Sequence, residues 1–189
     1  MTISADLNIT NLNMHRFIGT KIVWARPMTR ADAESHLRRD IGGTATGDGY
    51  LVRYADGYES WSPRDAFDEA YRPTSFLTFG LALEAMRKGL HVARAGWNGR
   101  GMWICLMPAL YLPSYTTLDT ARKVNDRTAK HIGANTPLDS QPYIAMWTAE
   151  GKWQPGWLAS QADILGDDWY VLPSTGCEGG AMEGNTTAL

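Results

Sequence analysis

Apolar and polar positions along this 189-residue chain fall into two patterned blocks, flanked by segments without any period. Residues 1–14, MTISADLNITNLNM, are polar and aperiodic, and a disordered N-terminus is expected. FIGTKIVWARPM reads as a strand ended by Pro27. TRADAESHLRRD reads as a short helix capped by Thr29, with Asp32 and Glu34 early in it. YLVRYADGYESW is a hairpin. Asp56-Gly57 can supply the positive φ angles of a two-residue turn, which would set Val52 opposite Trp61 and Tyr54 opposite Glu59. SPRDAFDEAY continues as a helix, with Ser62 as its N-cap and Pro63 in the first helical position. Residues 15–72 are thus expected to form a small β-hairpin-plus-helix module, with RPTS as linker.

The second block, residues 76–172, opens with TFGLALEAMRKGLHV, where Phe79, Leu83, Met86 and Leu90 recur at helical spacing. Thr78 caps the start, and Gly89 stands where a helix commonly stops. Strand patterns follow in HVARAG, GMWICLMP, PYIAMWTA and WYVLP, with a turn at Glu150-Gly151. A helix followed by a run of such strands predicts an α+β fold, an antiparallel sheet packed with a helix. Between Leu110 and Gln141 lies a long insertion. Its TLDTARKVNDRTAKHIG segment predicts a helix with Leu118, Ala121, Val124 and Ala129 on one side. Residues 173–189 are glycine-rich and poor in apolar groups, which predicts a disordered tail.

Composition adds two constraints. A net charge of −2 argues against binding to duplex nucleic acid, which usually needs a basic face, and no apolar run reaches the length of a membrane span. Eight tryptophans are too many for the core of one small domain, so some are expected at a ligand or subunit interface. The two cysteines, Cys105 and Cys177, stand in unlike contexts that suggest neither a zinc site nor a disulfide framework. No signal peptide is visible either, so a reduced, cytosolic setting is expected.

Catalytic signals are sparse. No two of the four histidines stand at ligand spacing, and neither a nucleophile elbow nor a phosphate loop occurs, so no metal site is expected. Asp163 and Asp167-Asp168 are the best acid–base candidates, but Asp163 sits three residues after Ser160, the geometry of an ordinary helix cap. What the chain does offer is stacking surface mixed with neutral polar groups. Trp97 and Asn98 lie on one glycine-flanked turn, with Arg94 and Arg100 beside it as phosphate partners. Trp153, Trp157, Ser160, Gln161 and Asp163 lie along another stretch, and Tyr143 starts a strand. Aromatic faces hold nucleobases at about 1–3 kcal/mol each. The competing reading is that Trp97 covers the end of the sheet and the other indoles form the core.

Several of these motifs occur together and in order: the TFGLALE helix, the GWNGRGM turn, the PYIAM strand and the WLASQAD…DDW ending. In this the chain resembles a phage family associated with the second type of Thoeris anti-defence protein, over about residues 76–172. The resemblance implies a sponge, not an enzyme and without a cofactor. Such a protein acts in the cytoplasm of the infected bacterium and binds a cyclic nucleotide immune signal intact. The signal is glycocyclic ADP-ribose of Thoeris, or a cyclic oligonucleotide of the CBASS kind. It also implies a homotetramer with ligand pockets between subunits. Carried over by motif, Trp97, Asn98, Met102, Pro142, Tyr143, Trp157, Ser160, Gln161 and Asp163 would line the pocket. Trp97 or Trp157 would stack on adenine, and an arginine would meet the pyrophosphate. A signal-degrading hydrolase and a structural phage protein without a ligand are the alternatives. The first block looks like an N-terminal module common in phage-encoded proteins.

Overall fold

The computed structural model describes residues 20–43, 46–118 and 122–173. The terminal segments expected to be disordered lie outside the described residues, except Pro173. The chain divides into two compact units, Met1–Tyr71 and Arg72–Leu189.

The first unit is a three-stranded antiparallel sheet in the order β1-β2-β3, formed by β1 (Trp24–Thr29), β2 (Asp48–Arg53) and β3 (Glu59–Pro63). Two helices belong to it, α1 (Arg30–Leu37) and α2 (Arg64–Ala70). Thr29 caps α1 as expected, its hydroxyl accepting the Asp32 N–H at 3.2 Å. Three expectations are corrected. Pro27 does not end β1 but sits inside it, opposite Tyr50, and a proline is tolerated there because β1 is an outer strand. The hairpin register is shifted by one residue, pairing Leu51 with Trp61 and Arg53 with Glu59. The reason is the turn: only Gly57 has positive φ, while the Asp56 carboxylate accepts the Tyr58 N–H at 2.9 Å and lengthens the loop. Trp61 therefore falls on the Leu51 face, where its indole N–H reaches the Met28 carbonyl at 2.9 Å. Finally, Pro63 closes β3 at ψ 147° instead of opening α2, which starts without a side-chain cap.

The second unit centres on α3 (Phe79–Arg87) and a five-stranded antiparallel sheet in the order β10-β4-β5-β8-β9. Its strands are β4 (Val92–Arg94), β5 (Trp103–Met107), β8 (Tyr143–Trp147), β9 (Trp153–Pro155) and β10 (Trp169–Val171). The α+β class follows, as the pattern predicts. The hydroxyl of Thr78 caps α3, and Gly89 follows its end at φ 82°. The fully buried side of α3 runs through Ala82, Ala85 and Met86, while Phe79, Leu83 and Leu90 pack more shallowly around it. Two alanines let the helix lie close to the sheet, on Val92, Ile104, Met146 and Trp169. Trp169, with no exposed surface, also ties Leu77 to the sheet through a pair of backbone hydrogen bonds at 2.7 and 3.1 Å.

The insertion holds a two-stranded ribbon, β6 (Leu110–Leu112) with β7 (Leu138–Ser140), and α4 (Asp126–Ile132). The helix is shorter than the pattern predicted because Asn125 caps it, accepting the Thr128 N–H at 2.8 Å. Leu118 lies before it and is 97% exposed, and Ala121 is outside the described residues. Buried Val124 is instead held by its N–H to the Pro113 carbonyl. A last short helix, α5 (Gln161–Leu165), follows β9. No helix among the described residues is long and apolar enough to cross a membrane.

Candidate ligand site

The turn after β4 and the start of α5 are joined through one arginine and two carboxylates. Arg94 ends β4, opposite Trp169 of β10, which brings it beside Asp168. Its Nε donates to Asp168 Oδ1 at 2.7 Å, and its Nη1 donates to Asp163 Oδ1 and to the Ala162 carbonyl, both at 2.9 Å. The second Asp168 oxygen accepts the Gly96 N–H at 2.6 Å, pinning the turn itself. Trp97 then donates its indole N–H to Asp163 Oδ1 at 3.0 Å.

Asp163 is the hub because the local sequence places it there. Ser160 and Asp163 form a reciprocal capping box at the start of α5, with the Ser160 N–H and hydroxyl donating to Asp163 Oδ2 at 3.0 and 2.7 Å. The cap uses Oδ2 and leaves Oδ1 for Arg94 and Trp97. Burial alone would raise this carboxyl, but the hydrogen bonds from Ser160, Trp97 and Arg94 outweigh it and hold the pKa at about 2. Asp168 is held below the ordinary carboxylate range mainly by its hydrogen bond from Arg94, whose own pKa is raised in return, chiefly by Asp168. Both carboxylates are ionised at neutral pH. Neither has the raised pKa that marks a general acid.

The close fit depends on two glycines. A Cβ at Gly166 would stand 2.7 Å from the Arg94 guanidinium, and one at Gly96 would stand 2.9 Å from Asp168.

Around this network the aromatic rings meet edge to face. Trp97 contacts Trp157 at 5.9 Å and Trp169 at 5.4 Å between ring centroids, and Phe79 lies against Trp169 at 5.4 Å. Trp97 and Trp157 are half-buried, so each contributes to the core and retains some open surface. Arg94, Trp97, Met102, Trp157, Ser160 and Asp163 thus gather at one place, with Met102 packed against the same core and its sulfur under Gly99. Asn98, Arg100 and Gln161 are exposed near it in sequence, and Arg100 has no ion pair among the described residues. Among the described residues no hydrogen bond or ring contact joins Pro142 or Tyr143 to this group. Tyr143 pairs with Met107 at the end of the β5–β8 ladder opposite Trp103↔Trp147, and strand alternation puts its side chain on the face away from α3.

That second face carries its own aromatic row. His91 stacks on Trp103 at 4.1 Å, and Trp103, Trp147 and Trp153 are in mutual ring contact. The eight tryptophans therefore divide by role: Trp61 and Trp169 buried, Trp97 and Trp157 in the network, three on the second face, and Trp24 exposed. The ion pair of Asp168 with Arg94 has no signal in the sequence. The partners lie 74 residues apart, and only the β4–β10 pairing brings the two together. Among the described residues, no group of three or more histidine, cysteine or acidic side chains could hold a metal.

Fold and contacts together define an α+β domain with an aromatic and ionic network, and residues 77–172 match the model of a family of anti-defence domains. That family is described as the Thoeris anti-defense 2-like domain, and this chain belongs to it. Thoeris anti-defense 2 of Bacillus phage SP01 is 30% identical over 96 residues, which cover 51% of this chain and 94% of the relative. Membership gives the chain an anti-defence role. The family's name denotes no catalytic activity.

Proposed function

We propose that the second unit binds a cyclic nucleotide immune signal and holds it uncleaved, so that the host effector remains off. Glycocyclic ADP-ribose of Thoeris is the first candidate ligand and a cyclic oligonucleotide of the CBASS kind the second. The observation that carries this reading is the locking of the Trp97 turn onto α5 by Asp163 and Arg94, beside the exposed polar groups Asn98, Arg100 and Gln161. A sponge must compete with the effector at low signal concentration, which asks for a nanomolar dissociation constant, about −12 kcal/mol. Ordinary contacts to a ligand of nucleotide size yield about −0.3 kcal/mol per atom, so a site that is already ordered gains affinity by avoiding the cost of freezing it.

The geometry redistributes the roles implied by the motifs. Arg94 is engaged by two carboxylates, which makes it a positioning residue, and the phosphate-facing role passes to Arg100. Trp97 offers its open surface as a wall and not a free ring. Pro142 and Tyr143 are assigned to the pocket from a neighbouring subunit, in the homotetramer with ligand pockets between subunits that the motifs imply. The infected cell's cytoplasm is where such a signal would be met.

The test is direct. Purified protein is mixed with glycocyclic ADP-ribose or with cyclic oligonucleotides, separated from free ligand, then heat-denatured, and the released molecules are analysed by mass spectrometry. Intact signal in the released fraction supports the proposal. A converted product would mean an enzyme, and an empty fraction would mean a protein without a ligand of this class.

A further inference from the structure

The family match begins at residue 77, and the first unit lies outside it. On that unit's sheet, one face holds a groove of about 480 Å³ whose lining includes Trp24, Arg26, Leu51, Arg53 and Glu59. A volume of this order lies within the usual range for small-molecule sites, about 300–1,000 Å³. The pairing register explains why these residues converge. Trp24 stands opposite Arg53, which stands opposite Glu59, and Arg26 stands opposite Leu51, so all five share one face. Leu51 is buried and forms the floor, while the indole of Trp24 is 61% exposed on the outer strand.

Charge separates the two arginines. Arg53 gives both Nε and Nη2 to Glu59 Oε1, at 2.8 and 2.7 Å, and the other Glu59 oxygen meets His36 Nε2 at 2.9 Å. Those hydrogen bonds hold the Glu59 carboxyl below its ordinary range, with that from His36 the largest influence. The Arg26 side chain has no hydrogen bond or ion pair among the described residues. The groove therefore presents one open indole and one uncompensated guanidinium, two positions apart on the same strand face. Their backbone separation is about 6.8 Å, twice the strand rise, a distance a nucleoside spans between its base and its 5′-phosphate.

We infer that this groove is a second ligand site, for a nucleoside phosphate of mononucleotide size, with the base on Trp24 and the phosphate on Arg26. Trp supplies a stacking face for any base, and Arg matches phosphate oxygens with two parallel donors. What distinguishes Trp24 from an ordinary exposed tryptophan is the buried floor beneath it and, among the described residues, the unpaired Arg26 side chain beside it. Every residue lining this groove lies outside residues 77–172.

The experiment uses the full-length chain and ADP as the probe. Calorimetry with ADP is run alongside inorganic phosphate and a ten-nucleotide oligothymidine, and 8-azido-ADP is photocrosslinked to the wild-type protein and mapped by mass spectrometry. The label is expected on the strands of the first unit, at or near Trp24 and Arg53. Trp24→Ala and Arg26→Gln are each expected to weaken ADP binding about tenfold. The proposal is overturned by label confined to residues 77–172, by ADP affinity unchanged in both variants, by phosphate binding as tightly as ADP, or by binding of the oligonucleotide without ADP. The map on wild-type protein decides the question even if a variant fails to fold.

Discussion

The indole N–H of Trp97 and the carboxylate of Asp163 meet at 3.0 Å, 66 residues apart in the chain. The turn that carries a large ring on glycine-flanked backbone is therefore fixed from the other side of the unit. Trp97→Phe keeps an aromatic ring beside Trp157 and Trp169 but removes the donor together with part of the indole's bulk. It is expected to lower stability by about 1–3 kcal/mol, the lost hydrogen bond and the small cavity adding, read as a fall in thermal midpoint, and to weaken signal binding in calorimetry. A variant that melts and binds like wild type would show that the hydrogen bond does not order the site.

Acid should loosen the same network. The Asp163 carboxyl is at about 2 in the folded protein against an ordinary 3.8. A depressed carboxylate contributes stability above its unfolded pKa and loses it as pH falls through the folded one, so the loss lies between about pH 4 and pH 2. Thermal midpoints should decline across that window. Asp163→Asn should start lower at pH 7 and decline less steeply.

Arg94 and Arg100 should separate stability from affinity. Arg94→Ala leaves two carboxylates without their cation and is expected to cost about 3 kcal/mol of stability. Arg100→Ala should leave stability within about 0.5 kcal/mol of wild type, as exposed positions do, while reducing signal affinity at least tenfold. If Arg100→Ala binds the signal normally, the phosphate role assigned to it is wrong.

Gly49 offers a way to perturb the first unit alone. A Cβ there would collide with the Ser62 carbonyl and the Trp61 ring, both fixed parts of the sheet. Gly49→Ala is expected to destabilise this unit by about 3 kcal/mol, at the upper end for overpacking. Hydrogen exchange should show lost protection in β2 and β3 while β5 and β8 keep theirs.

The sequence made the helix Phe79–Arg87 and four strands of the second sheet legible, because each carries a period and most carry a cap or turn residue. It did not make β9 legible: Trp153–Pro155 holds a glutamine and a proline, has no apolar run and is exposed throughout, so nothing in it reads as a strand. The hairpin register also escaped, since Asp-Gly permits more than one loop and only the Asp56 side chain selects the longer form. At the candidate site, the Ser160–Asp163 cap could be read from spacing alone. That the free Asp163 oxygen would hold Arg94 and Trp97 could not be read, because those contacts depend on strand order.

Both outer strands of the first unit's sheet contain a proline, Pro27 in β1 and Pro63 at the end of β3. An incoming strand at either rim would find an N–H missing from the row it must pair with. The module therefore discourages templated growth along its own margins, so the ring-rich face of this sheet is poorly placed to zip edge to edge into fibres.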